Sequence, residues 1–300
     1  MSRTVTAGLD GTMASAVAAD WAAREALLRG LPLRLVHAWP SDTAGTASTS
    51  PDHAALHWLQ RVLSEAEAEL GAEYPGLEIS TEYLDDTPLH GLLAVAQESE
   101  ILVVGSRGMG PLAGFLLGST GQSTVARAEC PVVLVRSGHH AAAEHRPGPD
   151  GAPTTSTPQR PVVLGVGLDH PCDTVLEFAF DAASRRATSL LIVHDWDRPY
   201  TYGYSPAFMT DTLLQETEAA ARRTLSDLVQ PWRNKFPQVA ITEQTGCGEA
   251  VSHIVRAAAD ASLVVVGRRS RHHAAGPKLG PVAHGVLHHA GCPVAVVPHL

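Results

Sequence analysis

The sequence predicts an α/β fold of two repeated doubly wound domains, each with a five-stranded parallel sheet flanked by helices. Three observations lead to this prediction. Nearly continuous aliphatic runs, such as 101–104, are typical of strands that are buried on both faces of a parallel sheet. Segments with apolar residues at helical spacing separate these runs, as in βαβ units. The pattern then returns, because 263–266 and Gly267 repeat 101–104 and Gly105 at a distance of 162 residues.

Five predicted strands alternate with four predicted helices in the first half. Val17, Trp21 and Leu28 share one face of a helix, and Gly30 behind them is a typical helix stop. The later segment 53–70 repeats leucine at helical spacing. The predicted strands are 4–9, 33–39, 79–84, 101–105 and 132–136, and the predicted helices are 13–29, 53–70, 89–99 and 119–128.

The second half repeats these elements. The segments 162–168, 190–196 and 292–297 correspond to 4–9, 33–39 and 130–135, and the copies share the patterns His-x-Trp and Cys-Pro-Val. The chain therefore divides into domain 1 over 1–137, a linker over 138–160 and domain 2 over 161–300. The linker is rich in Pro, Gly, Thr and His and has almost no large apolar residue, so we expect it to be flexible.

The last strand of each domain is expected at a sheet edge. An exposed apolar edge strand is an aggregation hazard unless it is paired or covered. The segments 132–135 and 294–297 are both short and aliphatic. We therefore predict that the two domains pack in a pseudo-twofold manner through these strands.

A glycine pattern marks the candidate binding site. Ligands of open parallel sheets bind beyond the carboxyl ends of the strands, where Asp10 and Gly105 are expected to face one crevice. Gly105-x2-Gly108-x9-Gly118-Ser119 then leads into a predicted helix, whose unpaired N–H groups suit a phosphate. A simple tight turn is the alternative interpretation of the glycines. The pattern is neither a P-loop nor the dinucleotide fingerprint.

Composition and the remaining motifs exclude other classes. The net charge of −9 argues against broad nucleic-acid binding, and no run reaches transmembrane length or resembles a signal peptide. The four cysteines form no CxxC motif, which favours a reduced, cytoplasmic setting. His284 and His288 have helical spacing, but no acidic or cysteine partner completes a metal set, so we predict no metal site. We assign no catalytic residue, because no nucleophile motif is present and Asp85 and Asp86 are expected on opposite faces of a strand.

These motifs resemble the universal stress protein family in its tandem two-domain form, over about 4–136 and 162–298. Asp10, the glycine pattern and the Cys-Pro-Val-Val strand carry the resemblance. It implies an adenine nucleotide alpha hydrolase-like fold that binds an adenine nucleotide, ATP. Carried over by position, the implied contacts are Asp10 at the ribose or adenine, Ala38 in the adenine pocket, Gly105, Arg107 and Gly108 around the ribose and phosphates, and Gly118, Ser119 and Thr120 at the phosphates.

The second half departs from the family pattern. Asp169, Gly267 and Gly280 are its candidate nucleotide positions, but Pro281 replaces the serine that follows the last glycine. Proline removes an N–H donor and the hydroxyl. The first half departs less, with Gly121 where many members carry a second hydroxyl. We therefore predict that domain 1 is the better nucleotide site.

Three functions are compatible with the sequence. The first is an ATP-binding, cytoplasmic, nucleotide-dependent regulator of a stress response. The second is a slow ATPase or nucleotidyl transferase, although the sequence places no base beside the terminal phosphate, so slow or no hydrolysis is expected. The third is a nucleotide-free dimerisation scaffold. The expected partners are an adenine nucleotide and an unidentified regulatory protein, with a homodimer also compatible, and neither nucleic acid nor membrane.

Overall fold

The computed structural model describes residues 3–40, 52–106, 118–170, 172–196, 211–270 and 279–299. The strands are β1 Thr4–Gly8, β2 Leu33–Ala38, β3 Ile79–Leu84, β4 Ser99–Ser106, β5 Val132–Arg136, β6 Val162–Gly165, β7 Leu190–Trp196, β8 Ile241–Cys247, β9 Leu263–Arg269 and β10 Val294–His299. The helices are α1 Met13–Arg29, α2 Asp52–Glu73, α3 Pro88–Ala96, α4 Ser119–Arg127, α5 Asp173–Arg185, α6 Asp211–Lys235, α7 Ala250–Ala258 and α8 Pro281–His289.

The ten strands form one sheet in the order β3-β2-β1-β4-β5-β10-β9-β6-β7-β8. Within each half all neighbouring strands are parallel, which confirms the predicted doubly wound architecture. Gly8 at the end of β1 pairs with Val36 of β2 and Val104 of β4. The carboxyl ends of these three strands therefore meet at one edge of the sheet, which is where such folds bind ligands.

The helix that follows β1 begins and ends at the signals the sequence contains. The Thr12 side chain caps α1 by accepting a hydrogen bond from the Ser15 amide. Gly30 ends the helix in the left-handed conformation, at φ 64°, which glycine adopts without steric cost. The observed helix, Met13–Arg29, has the predicted bounds.

The two faces of the sheet bury two apolar clusters. Successive strand residues point to opposite faces, so Ile101 and Val103 belong to one cluster and Leu102 and Val104 to the other. Helices α1, α2, α5 and α6 cover the first face, and α3, α4, α7 and α8 cover the second. Both clusters contain residues of both halves, so the halves share their cores. In the described part of the chain, every helix is too short or too polar to cross a bilayer.

The two halves join through their last strands, as predicted. β5 and β10 pair antiparallel, with Val132 opposite Val296 and Val133 opposite Ala295. These residues are almost completely buried. Each strand therefore covers the edge that the other half would otherwise expose.

The segment 138–160, which the sequence predicts to be a flexible linker, contains a short helix and a buried polar cluster. Ala141–Glu144 forms a short 3-10 helix, and Glu144 is 4% exposed. Its carboxylate accepts hydrogen bonds from Arg24 Nη2 and His139 Nε2, both at 2.8 Å. Polar pairs thus hold part of this segment, which a count of apolar residues does not predict, and its flexibility stays a prediction.

A set of buried charges, which we call the inter-half ion network, lies where α1 meets α5. Glu25 of α1 accepts from Arg29 Nε at 2.6 Å and from Arg186 Nη2 at 2.5 Å. Burial alone would raise the pKa of Glu25, but the two arginines outweigh it and hold the pKa below its usual value. Asp181 also accepts from Arg29, at 3.0 Å. The network consists of Arg24, Glu25, Arg29, Glu144, Asp181 and Arg186.

Two arginines cross between the halves on the opposite face of the sheet. Arg136 of β5 donates to the carbonyls of Leu287 at 3.1 Å and Ala290 at 2.6 Å, at the end of α8. Arg268 of β9 donates to the carbonyl of Ala128, which caps the end of α4. Each arginine satisfies carbonyls that a helix end leaves unpaired and complements the negative end of the helix dipole.

Candidate functional site

Asp10 lies at the carboxyl end of β1 and shapes the turn into α1. Its Oδ1 accepts a hydrogen bond from the Thr12 amide at 3.0 Å, and its own amide donates to Ser15 Oγ at 3.2 Å. The residue is exposed. Asp10 therefore borders the crevice that the sequence predicts at this edge of the sheet.

Ala38 lies one strand away, at the end of β2. It is 9% exposed and packs beside Gly91 of α3, where a Cβ on the glycine would lie only 2.9 Å from the Ala38 Cβ. The preceding residue, His37, is buried. Burial lowers the pKa of its imidazole, and the negative charge of Asp10, which acts in the opposite direction, does not outweigh this effect. The end of β2 is thus a small, largely apolar surface.

Trp58 of α2 is a neighbour of this edge that sequence reasoning missed. It is 45% exposed, and its ring stands perpendicular to the His37 ring at a centroid distance of 6.1 Å. It also lies over Gly11, where a Cβ would be 2.6 Å from the indole. The available signal was an aromatic residue among the leucines of the predicted helix 53–70.

Gly105 has a structural reason to be glycine. A Cβ at this position of β4 would overlap the Ala14 carbonyl group and lie 2.7 Å from the Ser15 amide nitrogen. Close packing of α1 on β4 therefore requires the glycine, whether or not a ligand approaches. This packing reason differs from the tight turn that is the alternative interpretation of the glycines, and it needs no ligand.

Gly118, Ser119 and Thr120 form the beginning of α4. Gly118 is the N-cap residue at φ −57°, and no side chain caps the helix. No described atom lies within 4 Å of a Cβ built on Gly118, and Ser119 is exposed. The first-turn N–H groups therefore lack a side-chain acceptor among the described residues. The predicted contacts Arg107 and Gly108 lie outside the described residues.

The second half contains a cavity of about 700 Å³ at the equivalent edge of the sheet. Three predicted positions, Asp169, Gly267 and Gly280, line it together. Gly280 caps the beginning of α8 at φ −64°, and Pro281 occupies the first helical turn. A Cβ on Gly267 would lie 3.0 Å from His299 Nε2, so this glycine is closely packed.

The strand register corrects one correspondence between the halves. Gly165 pairs with Val193 and Val266, just as Gly8 pairs with Val36 and Val104. Gly167 is therefore the structural equivalent of Asp10, and Asp169 lies two residues farther along the chain. The tripeptide Gly-Leu-Asp occurs at 8–10 and at 167–169, and this identity suggested that Asp10 and Asp169 correspond. The hydrogen-bond pairing of the strands shows that they do not.

One further polar residue lines this cavity and is hydrogen-bonded to a histidine of α7. Asp195 lines it, and His253 of α7 donates from Nδ1 to Asp195 Oδ1. Sequence reasoning did not single out this pair. Elsewhere, the rings of His284 and His288 lie 4.4 Å apart, and the described residues contain no group of three or more potential metal ligands.

Comparisons with known proteins agree with this architecture. The model of the universal stress protein family matches residues 1–136 and 159–298. The universal stress protein Rv2005c of Mycobacterium tuberculosis is 30% identical over 97% of this chain and 96% of its own length. A universal stress protein of Mycolicibacterium smegmatis is 30% identical over 97% of this chain and 95% of its own. The crystal structure of a universal stress protein from Archaeoglobus fulgidus covers 99% of both chains with a TM-score of 0.69 at 15% identity.

Proposed function

The chain belongs to the universal stress protein family, and we propose that its first half binds an adenine nucleotide, ATP, as a cytosolic, nucleotide-dependent regulator of a stress response. One observation carries the proposal. The uncapped beginning of α4 follows the strand that lies beside β1, and β1 leads to Asp10. A phosphate-binding element and a nucleoside-binding edge are thereby available in one half of the chain.

Gly118 supports the position of the phosphates. Its φ of −57° is accessible to any residue, and no described atom would touch a Cβ there. Backbone strain and described neighbours therefore give no reason for glycine at this position. A phosphate approaching the helix N-terminus closely does, because the first-turn N–H groups and the positive end of the helix dipole attract anions.

Asp10 and Ala38 support the position of the nucleoside. Asp10 is an exposed carboxylate that can accept hydrogen bonds from ribose hydroxyls. Ala38 is a small apolar residue on the neighbouring strand, whose carboxyl end meets that of β1. An adenine ring can lie against such a surface, whereas a larger side chain would occupy the space.

The residues at the beginning of α4 favour binding over hydrolysis. Ser119, Thr120, Gly121 and Gln122 offer N–H groups, hydroxyls and an amide, but none is a general base at neutral pH. Rapid transfer of a phosphoryl group to water is promoted by a positioned general base, which these four residues do not supply. A regulator that holds ATP without rapid turnover fits this composition.

The proposal is tested by Gly118→Asp with Gly280→Asp as the matched control. Aspartate is a strong N-cap residue, so each variant should keep or slightly raise the thermal midpoint. At position 118 the new carboxylate would take the N–H groups and repel the phosphates. We expect ATP affinity, measured by calorimetry, to fall about ten- to a hundredfold, since hydrogen bonds to charged groups contribute about 1.5–3 kcal/mol.

The control separates this site from a general charge effect. Gly280→Asp adds the same charge at the equivalent helix of the second half. It should change the affinity of the tighter ATP site, the one in the first half, by less than about twofold relative to the parent chain. Unchanged affinity in Gly118→Asp would refute the assignment, and absence of ATP binding in the parent chain would favour a scaffold. Turnover on the order of 1 s⁻¹ would instead identify an enzyme.

A further inference from the structure

Asp195, which lines the cavity of the second half, belongs to a group of three residues that fit one another. Asp195 of β7 pairs with Gly246 of β8 in the sheet. His253 of α7 reaches across and donates from Nδ1 to Asp195 Oδ1. A Cβ on Gly246 would lie 2.5 Å from both atoms of this hydrogen bond, so only glycine leaves room for the pair.

The same three positions carry a different set in the first half. Ala38 of β2 pairs with Leu84 of β3 and contacts Gly91 of α3. Leu84 and Gly91 precede Gly246 and His253 by the repeat distance of 162 residues. Alanine, leucine and glycine thus stand where the second half has aspartate, glycine and histidine. The exchange is coordinated, because the histidine needs the space that a leucine would fill.

One of the two oxygens of the Asp195 carboxylate makes no hydrogen bond to the described residues. The side chain is 2% exposed and lines the cavity. Oδ1 accepts from His253, while Oδ2 is buried and has no hydrogen-bond partner among the described residues. A buried polar atom without a partner is costly, so such an atom on a residue that lines a cavity suggests a ligand that donates to it.

We propose that the second half selects a nucleoside-sized ligand through an amino N–H that donates to Asp195 Oδ2. The cavity volume of about 700 Å³ lies within the usual range for small-molecule sites, and Val166, Val193 and Ile254 provide apolar walls for a heterocycle. One free oxygen matches one amino donor, as in adenine or cytosine. Guanine offers two adjacent N–H donors, which are best matched by both oxygens of a free carboxylate.

His253 is a positioning residue in this proposal. It holds one carboxylate oxygen and so fixes the orientation of the carboxylate, whose other oxygen has no partner among the described residues. The first half has no counterpart to this acceptor, because Ala38 stands there. The two halves therefore differ in how they select a ligand, and this conclusion does not depend on ATP binding in the first half.

The experiment compares adenosine with purine riboside, which lacks the amino group and adds no bulk. Binding is followed by two-dimensional NMR of the tryptophan indole N–H groups, assigned by Trp→Phe variants. Trp196, next to Asp195, reports on the second half, and Trp39, next to Ala38, reports on the first. From the Trp196 signal we expect adenosine to bind about ten- to a hundredfold more tightly than purine riboside. This is the usual contribution of a hydrogen bond to a charged group.

The matched variant is the triple exchange Asp195→Ala, Gly246→Leu and His253→Gly, which installs the set that already packs in the first half. Circular dichroism and the thermal midpoint establish that it folds. We expect the ratio of the affinities for adenosine and purine riboside, measured at Trp196, to fall to about one, and the Trp39 response to stay unchanged. Equal affinities in the parent chain, no Trp196 response up to millimolar adenosine, or a preserved preference in the folded exchange variant would each overturn the proposal. None of these results affects the Gly118 test, so the two proposals fail separately.

Discussion

Replacing Glu25 by alanine is expected to destabilise the whole protein by about 3 kcal/mol. The Glu25 side chain is 0% exposed, and its removal leaves Arg186, which is 1% exposed, without the carboxylate that neutralises it. Breaking a buried ion pair costs about 3–5 kcal/mol, because an uncompensated charge stays buried. We place the loss at the lower end for two reasons. Arg29 keeps Asp181 as a partner at 3.0 Å, and the Arg186 guanidinium lies 5.8 Å from the centroid of the Trp21 ring.

Urea denaturation followed by circular dichroism measures this loss, and thermal unfolding should show a fall in the midpoint of roughly 6–12 °C. The matched control is Glu65→Ala, which removes an ion pair with Arg61 on the surface of α2, where the two side chains are 62% and 72% exposed. Exposed pairs contribute about 0–1 kcal/mol, so the control should be nearly neutral. If both variants lose the same small amount, Glu25 is hydrated and the halves do not meet as the structure describes.

Three further predictions concern pH, packing and thiols. Burial by itself would raise the pKa of Glu25 and of Glu144, but hydrogen bonds and the neighbouring arginines outweigh it and hold each pKa below its usual value. Their stabilisation is therefore present above the unfolded carboxyl pKa of about 4.3 and lost as pH falls through the folded pKa, so urea midpoints should decline steeply below about pH 5 and not stay level. Gly105→Ala should cost about 1–3 kcal/mol or more in unfolding free energy, because its Cβ would overlap backbone of α1, whereas Gly118→Ala should cost under about 0.5 kcal/mol; equal costs would contradict the packing at β4. Burial raises the pKa of Cys130 to about 11 and of Cys292 to about 12, so a thiol reagent at pH 8 should label two of the four cysteines in the folded chain, and rapid labelling of all four would refute this.

Local signals made most of the fold predictable. Helical spacing and the stop at Gly30 predicted the observed bounds of helix α1, and the need to cover an apolar edge predicted the pairing of β5 with β10. These features follow from periodicity and burial, which a single sequence contains. The contact of the segment 138–160 with α1 was not predicted, because Glu144 and Arg24 are 120 residues apart and such a pair has no periodic signature.

The site was predictable in part. Strand ends and helix beginnings located Gly118 and Gly280, but the contacts of each residue depend on register and on distant elements. Asp195 and His253 are 58 residues apart, one on a strand and one on a helix. The repeat did contain a signal, since Ala38 in the first half stands where the second half has an aspartate. A difference between two copies identified this pair more directly than their similarity did.

The crossed arginines make each half a structural component of the other. The helix that begins at Gly118 ends at a carbonyl held by Arg268 of the second half, and the helix that begins at Gly280 ends at carbonyls held by Arg136 of the first. A protein assembled from two identical single-domain chains would duplicate every substitution and would come apart on dilution. In this fused chain a substitution alters one crevice and leaves its counterpart as it was, at a constant one-to-one stoichiometry that does not vary with protein concentration. The fold thus allows the two crevices to diverge while they share one frame.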